Sequence, residues 1–115
     1  MSSTFSDGRV VRRLEDLSRF GAEAAFIVAR GVDAYREDSP DGALLRNAGE
    51  RVLIKVATVV EKLPEEYKAQ YPDIDWIGIM RMRNLVAHHD DKVNDDLMFA
   101  ALAVRVPALL ARLDS

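Results

Sequence analysis

Residues 9–36 read RVVRRLEDLSRFGAEAAFIVARGVDAYR, with Val10, Leu14, Leu17, Gly21, Ala24, Val28 and Tyr35 recurring at steps of three, four and seven. An α-helix turns about 100° per residue, so these steps line apolar side chains along one stripe. The pattern predicts a single long amphipathic helix from about 9 to 36. The polar run Glu37 to Gly42, which holds Ser39 and Pro40, carries the turn chemistry that ends it.

Downstream the same period returns. Leu45, Ala48, Val52, Val56, Val59 and Leu63 mark a second helix over about 41–63, stopped by Pro64. Glu65 and Glu66 suit the first turn of a short helix ending near Gln70, and Tyr71-Pro72 breaks the chain because the residue before proline resists the α region. Asp73 is the expected N-cap of a third major helix, with Asp75 in its first turn and Trp76, Ile79, Met80 and Val86 on its buried side. That helix is expected to reach His88 or His89. A last helix is expected from Asn94 or Asp95 to about 113, kinked by Pro107. Alternating β-branched runs are missing. The fold class is therefore all-α, an antiparallel bundle of four to five helices.

At 115 residues the chain fits one domain, residues 1–115, with residues 1–8 expected to be a flexible N-terminal segment. About two thirds of its surface would be buried on folding, enough for a core without covalent staples. There are no cysteines, which removes disulfides, thiolate metal sites and a cysteine nucleophile. The first residues lack the basic and apolar regions of a signal peptide, and no apolar run reaches the ~18–20 residues that span a bilayer. A cytoplasmic protein is expected. Sixteen basic against nineteen acidic residues leave a net charge of −3, without the basic excess of a duplex-DNA binder. Any nucleic-acid contact must come from a local cluster.

One such cluster exists. Arg81, Arg83, Asn84, His88 and His89 crowd into residues 81–89, ahead of Asp90. Arginine offers a permanently charged fork to phosphate oxygens, and histidine exchanges a proton near neutral pH. RNA supplies its own nucleophile in the 2′-hydroxyl, so positioning, proton movement and charge neutralisation suffice without a metal. A metal site is disfavoured: His88 and His89 are the only histidines, and neighbours on a helix point about 100° apart. Nucleotide-binding glycine loops and the Gly-x-Ser-x-Gly elbow are also missing. On an ideal α-helix Arg81, Asn84 and His88 share a face, whereas Arg83 and His88 stand about 140° and 7.5 Å apart. A second copy of the helix across a two-fold axis would relax that spacing. The plainer alternative is a solvated helix end, its cations favoured by the macrodipole and paired with Asp90, Asp91, Asp95 and Asp96.

The spacing Arg83-Asn84-Leu85-Val86-Ala87-His88 resembles the signature of the HEPN superfamily, an arginine followed after four to six residues by histidine. Tyr71-Pro72 ahead of Trp76, and Val93-Asn94 after the motif, make the chain most similar to the HepT-like toxins encoded beside a minimal nucleotidyltransferase. The resemblance implies a metal-free, cofactor-free ribonuclease toxin, homodimeric, with RNA as substrate and a cognate antitoxin. It implies that Arg83 stabilises the charged phosphate, that His88 is the general acid or base, and that Asn84 orients one of them or holds RNA. Arg81 and His89 are candidates for backbone contacts. Asp90 stands where the family carries the tyrosine that accepts AMP from the nucleotidyltransferase, and it lacks the phenolic hydroxyl. The family's Ile-Gly-Glu-Ala stretch is also altered here, to Val56-Ala57-Thr58-Val59. A non-catalytic helical module that binds the nucleotidyltransferase is the alternative reading.

Overall fold

A computed structural model describes residues 8–88 and 92–113, for His88 the backbone alone. The expected N-terminal segment up to residue 7 lies outside the described residues, as do His89 and Asp90. Within the described residues every regular element is a helix, the helices are joined by short turns, and there is no strand. In chain order the helices are α1 (Gly8–Val28), α2 (Val32–Arg36), α3 (Pro40–Lys62), α4 (Glu65–Lys68) and α5 (Trp76–Met80), then a 3₁₀ helix (Arg81–His88) and α6 (Lys92–Ala100). A π-helical segment (Ala101–Arg105) and α7 (Val106–Leu113) complete it. The molecule is a rod of 52 × 22 × 19 Å.

The long N-terminal helix is broken where one piece was expected. Gly31 has φ of 89°, in the region that favours glycine, and it turns the chain so that α2 starts afresh and buries Tyr35. The second helix matches its expectation closely. Ser39 caps it, its hydroxyl accepting from the Gly42 N–H at 3.0 Å, with Pro40 at the first helical position. Its buried stripe differs at one point: Ala48 is exposed, and Gly49 and Leu53 face inward instead. The α1 and α3 axes run antiparallel. Phe20 and Glu23 lie against Lys55, while Phe26 and Ile27 share a groove with Ala48.

The third helix departs most. Asp75 is its N-cap, accepting from the Gly78 N–H at 3.0 Å, whereas Asp73 is drawn away by a two-bond ion pair with Arg112 at 2.8 and 3.1 Å. After Met80 the α-helix tightens to 3₁₀ geometry, and Met82 enters the core. Of the four side chains expected on its buried face, Ile79 is buried, while Trp76, Met80 and Val86 are half-buried. Trp76 spends its indole N–H on the Lys68 carbonyl, 3.0 Å away. The last helix begins at Lys92, so Asn94 and Asp95 sit inside it rather than capping it. Pro107 has no N–H and its ring would crowd the Ala103 carbonyl; the wide π turn just before it relieves both problems.

Tyr35 carries a buried hydroxyl with no hydrogen-bond partner among the described residues. A Cβ added at Gly49 would come within 2.6 Å of that oxygen, so the glycine is required for close approach. Gly49→Ala is therefore expected to destabilise by about 1–3 kcal/mol in urea denaturation. Tyr35→Phe, which removes an unpaired buried hydroxyl, is expected to be neutral or stabilising by up to about 1 kcal/mol.

Candidate functional site

Every residue from Arg81 to His88 lies on the 3₁₀ helix, which packs on α3 and is continuous with α5. Runs of this length are uncommon in 3₁₀ form, so tertiary contacts hold it. Met82 is buried and Leu85 half-buried along one edge. The side-chain amide of Asn94, 5% exposed, donates to the Leu85 carbonyl and fastens α6 to the segment.

The change of helix type changes the geometry expected of the motif. With three residues per turn Arg81 and Asn84 still align, and both are exposed. Position 88 no longer joins them: it lies about a third of a turn away from their line. A rise of about 2.0 Å per residue puts positions 83 and 88 about 10 Å apart along the axis, more than an α-helix would.

Arg83 is half-exposed and already engaged. Its Nε donates to the Met80 carbonyl at 3.3 Å, and its Nη2 meets Glu61 Oε1 on α3 at 3.0 Å. The guanidinium has five N–H donors, and these two bonds leave others for a further acceptor. The ion pair sits in water and is worth roughly 0–1 kcal/mol, so an incoming phosphate can displace the carboxylate. Glu61 lies far from the motif in sequence, and no local pattern marked it. Asn94 was legible only as a cap, yet its role is to clamp the motif segment.

The motif segment and the first residues of α6 both pack along α3. Arg83 is opposite Glu61 near one end, and Lys92 joins Arg46 and Glu50 around a polar pocket at the other. Asp95 also faces that pocket although the residue is only 3% exposed, and burial pushes its carboxyl above the usual carboxylate range. Among the described residues no three His, Cys, Asp or Glu side chains gather at metal-ligating distance. No helix of the described residues is long and apolar enough to cross a membrane.

The family model described as "Ribonuclease HepT-like" matches residues 12–115, from the first turns of α1 through α7. The chain belongs to the HepT-like ribonuclease family. A protein of Methanocaldococcus jannaschii, provisionally named as an RNase, is 30% identical to this HepT-like chain over 57 residues. That match takes in 50% of this chain and 47% of the other, so the chain spans about half the length of that relative. No solved structure matches.

Two outcomes check this geometry. Asn94→Ala leaves the Leu85 carbonyl without its donor and should cost about 1–3 kcal/mol of stability in chemical denaturation. Asp95 behaves differently, because its carboxyl is raised on folding. The penalty that ionised Asp95 puts on the folded state builds as pH rises from the unfolded value through the raised one, is complete above it, and vanishes when the group is protonated in both states. Asp95→Asn should therefore raise the melting temperature at neutral pH and lose that advantage below the unfolded carboxyl value of 3.8.

Proposed function

We propose that this HepT-like chain is a metal-independent RNA endonuclease, the toxin of a toxin–antitoxin pair, acting in the cytoplasm as a homodimer. The reading is carried by one observation: a family match over residues 12–115 that includes Arg83, Asn84 and His88 on a single packed helical segment. In the proposed reaction the 2′-hydroxyl attacks the adjacent phosphorus. A base takes its proton, the P–O5′ bond breaks, and an acid protonates the departing oxygen, leaving a 2′,3′-cyclic phosphate. His88 moves one of these protons, and Arg83 offsets the charge that builds on the phosphate oxygens. Asn84, Arg81 and His89 hold the RNA backbone or orient the first two.

The separation of about 10 Å between positions 83 and 88 supports the dimer. Both groups must come within hydrogen-bond reach of one phosphate, and a two-fold axis lets Arg83 of one protomer work with His88 of the other. The cognate antitoxin is a minimal nucleotidyltransferase. Because Asp90 has no phenolic hydroxyl, neutralisation at that position proceeds by binding rather than by attachment of AMP to a tyrosine.

Purified protein should cut single-stranded RNA in EDTA. His88→Ala and Arg83→Ala should each lower the rate by about 10²-fold or more with the melting temperature kept. Dependence on added metal, or full activity in both variants, rejects the assignment. Glu61→Gln, which frees the Arg83 guanidinium, should tighten RNA binding about two- to fivefold in a filter-binding titration.

The Glu61–Arg83 pair also favours a second reading, a non-catalytic helical module whose motif arginine is structural. Expression in growing cells separates the two. Toxicity abolished by His88→Ala supports the nuclease, and harmless expression with tight binding to the nucleotidyltransferase supports the module.

A further inference from the structure

The polar pocket between the N-terminal parts of α3 and α6 has a volume of about 240 Å³ and is lined by Asp38, Ala43, Arg46, Asn47, Glu50, Lys92 and Asp95. It is separate from the motif arginine. Glu50 and Glu61 are eleven residues apart on α3, which is about 16 Å along a helix. Two cations and three carboxylates meet there, and the hydrogen bonds that both cations make go to acceptors other than Asp95. Arg46 Nη1 donates to the carbonyls of Tyr35 and Glu37 at 2.9 and 2.8 Å. Lys92 Nζ donates to the Arg36 carbonyl at 2.7 Å and to Asp38 at 2.8 Å.

Asp95 is left over. No hydrogen bond or ion pair reaches its carboxylate among the described residues, although the residue is 3% exposed. Its oxygens nevertheless keep access to the pocket, since the Tyr35 hydroxyl is the sole fully enclosed side-chain polar atom without a partner among the described residues. A buried carboxylate held without a donor is costly, and the cost is recovered when a donor arrives.

We propose that this pocket receives a guanidinium cation, the side chain of an arginine on a partner protein. The planar fork of arginine meets a carboxylate through two parallel N–H···O bonds, and Asp95 presents that acceptor. Glu50 and the Asn47 carbonyl accept the remaining N–H donors, and the surplus negative charge of the lining becomes balanced. The volume falls below the roughly 300–1,000 Å³ of clefts that hold whole small molecules, which suits one side chain better than a nucleotide. The acidic lining also disfavours an RNA phosphate. A partner docked there would sit against the N-terminal turn of α6, directly beyond the motif in sequence, and the assignment holds whether or not the chain cuts RNA.

The test is a ¹H–¹⁵N titration of the intact protein at low salt with N-acetyl-arginine amide, with guanosine monophosphate as the competing probe. Saturable millimolar shifts are expected at the amides of Asn47, Glu50 and Asp95. Asp95→Asn should weaken them at least about tenfold, and Glu50→Gln, should the first variant misfold, by a smaller factor in the same direction. An absent or non-saturating response to the arginine probe overturns the proposal. So does an undiminished response in a folded Asp95→Asn protein, or a response to guanosine monophosphate alone, which would make the pocket a nucleotide site.

Discussion

The burial of α3 is the constraint on which the other elements depend. The helix packs against α1, α2, α5, the 3₁₀ segment, α6 and the π segment, and its inward face of Gly49, Val52, Leu53, Val56, Ala57, Val59 and Val60 excludes water almost completely. Burial on this scale, at about 25 cal/mol per Å² of apolar surface, outweighs the local preferences of shorter pieces packed against it. That explains why a stretch as short as Trp76–Met80 stays helical and why the following residues accept the tighter 3₁₀ form. Met82 must reach the core while Arg83 reaches Glu61, and the coil winds as the two demands require.

Where a boundary was written in local chemistry, the sequence disclosed it. The start of α3 follows from Ser39 and Pro40, and its end from Pro64; both agree with the observed Pro40–Lys62. The break after Val28 was not legible. Gly31 fits within a helical period as readily as outside it, and the decision to leave the helix comes from burying Tyr35 against Phe99, with ring centroids 5.5 Å apart. The N-cap of the third helix was misplaced for a related reason. Local spacing points to Asp73 as the cap and to Asp75 as a first-turn acid, but Arg112, distant in sequence, claims Asp73.

For the candidate site the residue types were legible and their arrangement was not. Arg81, Arg83, Asn84 and His88 stood out by composition, but their relative directions depended on a helix type that only tertiary packing selects. Glu61, which holds Arg83, and the pocket built from residues 38–50 and 92–95 join segments far apart in the chain. No periodicity within a single helix announces such a meeting.

The π segment carries a consequence for chain length. The buried positions Asn94, Met98, Leu102 and Val106 follow one another at four-residue intervals. Each such interval overshoots an α-helical turn by about 40°, so a regular helix would let the row drift off the core within a few turns. The wide loop of backbone at Ala101–Arg105 resets the phase, and Leu109 and Leu113 land on the inward side again. The count of residues there is thereby fixed. Deleting one would keep the helix continuous while swinging Leu109, Leu113 and the Arg112 anchor about 100° around the axis. The C-terminal turns would come loose from α1 while the turns nearest the motif stayed in place.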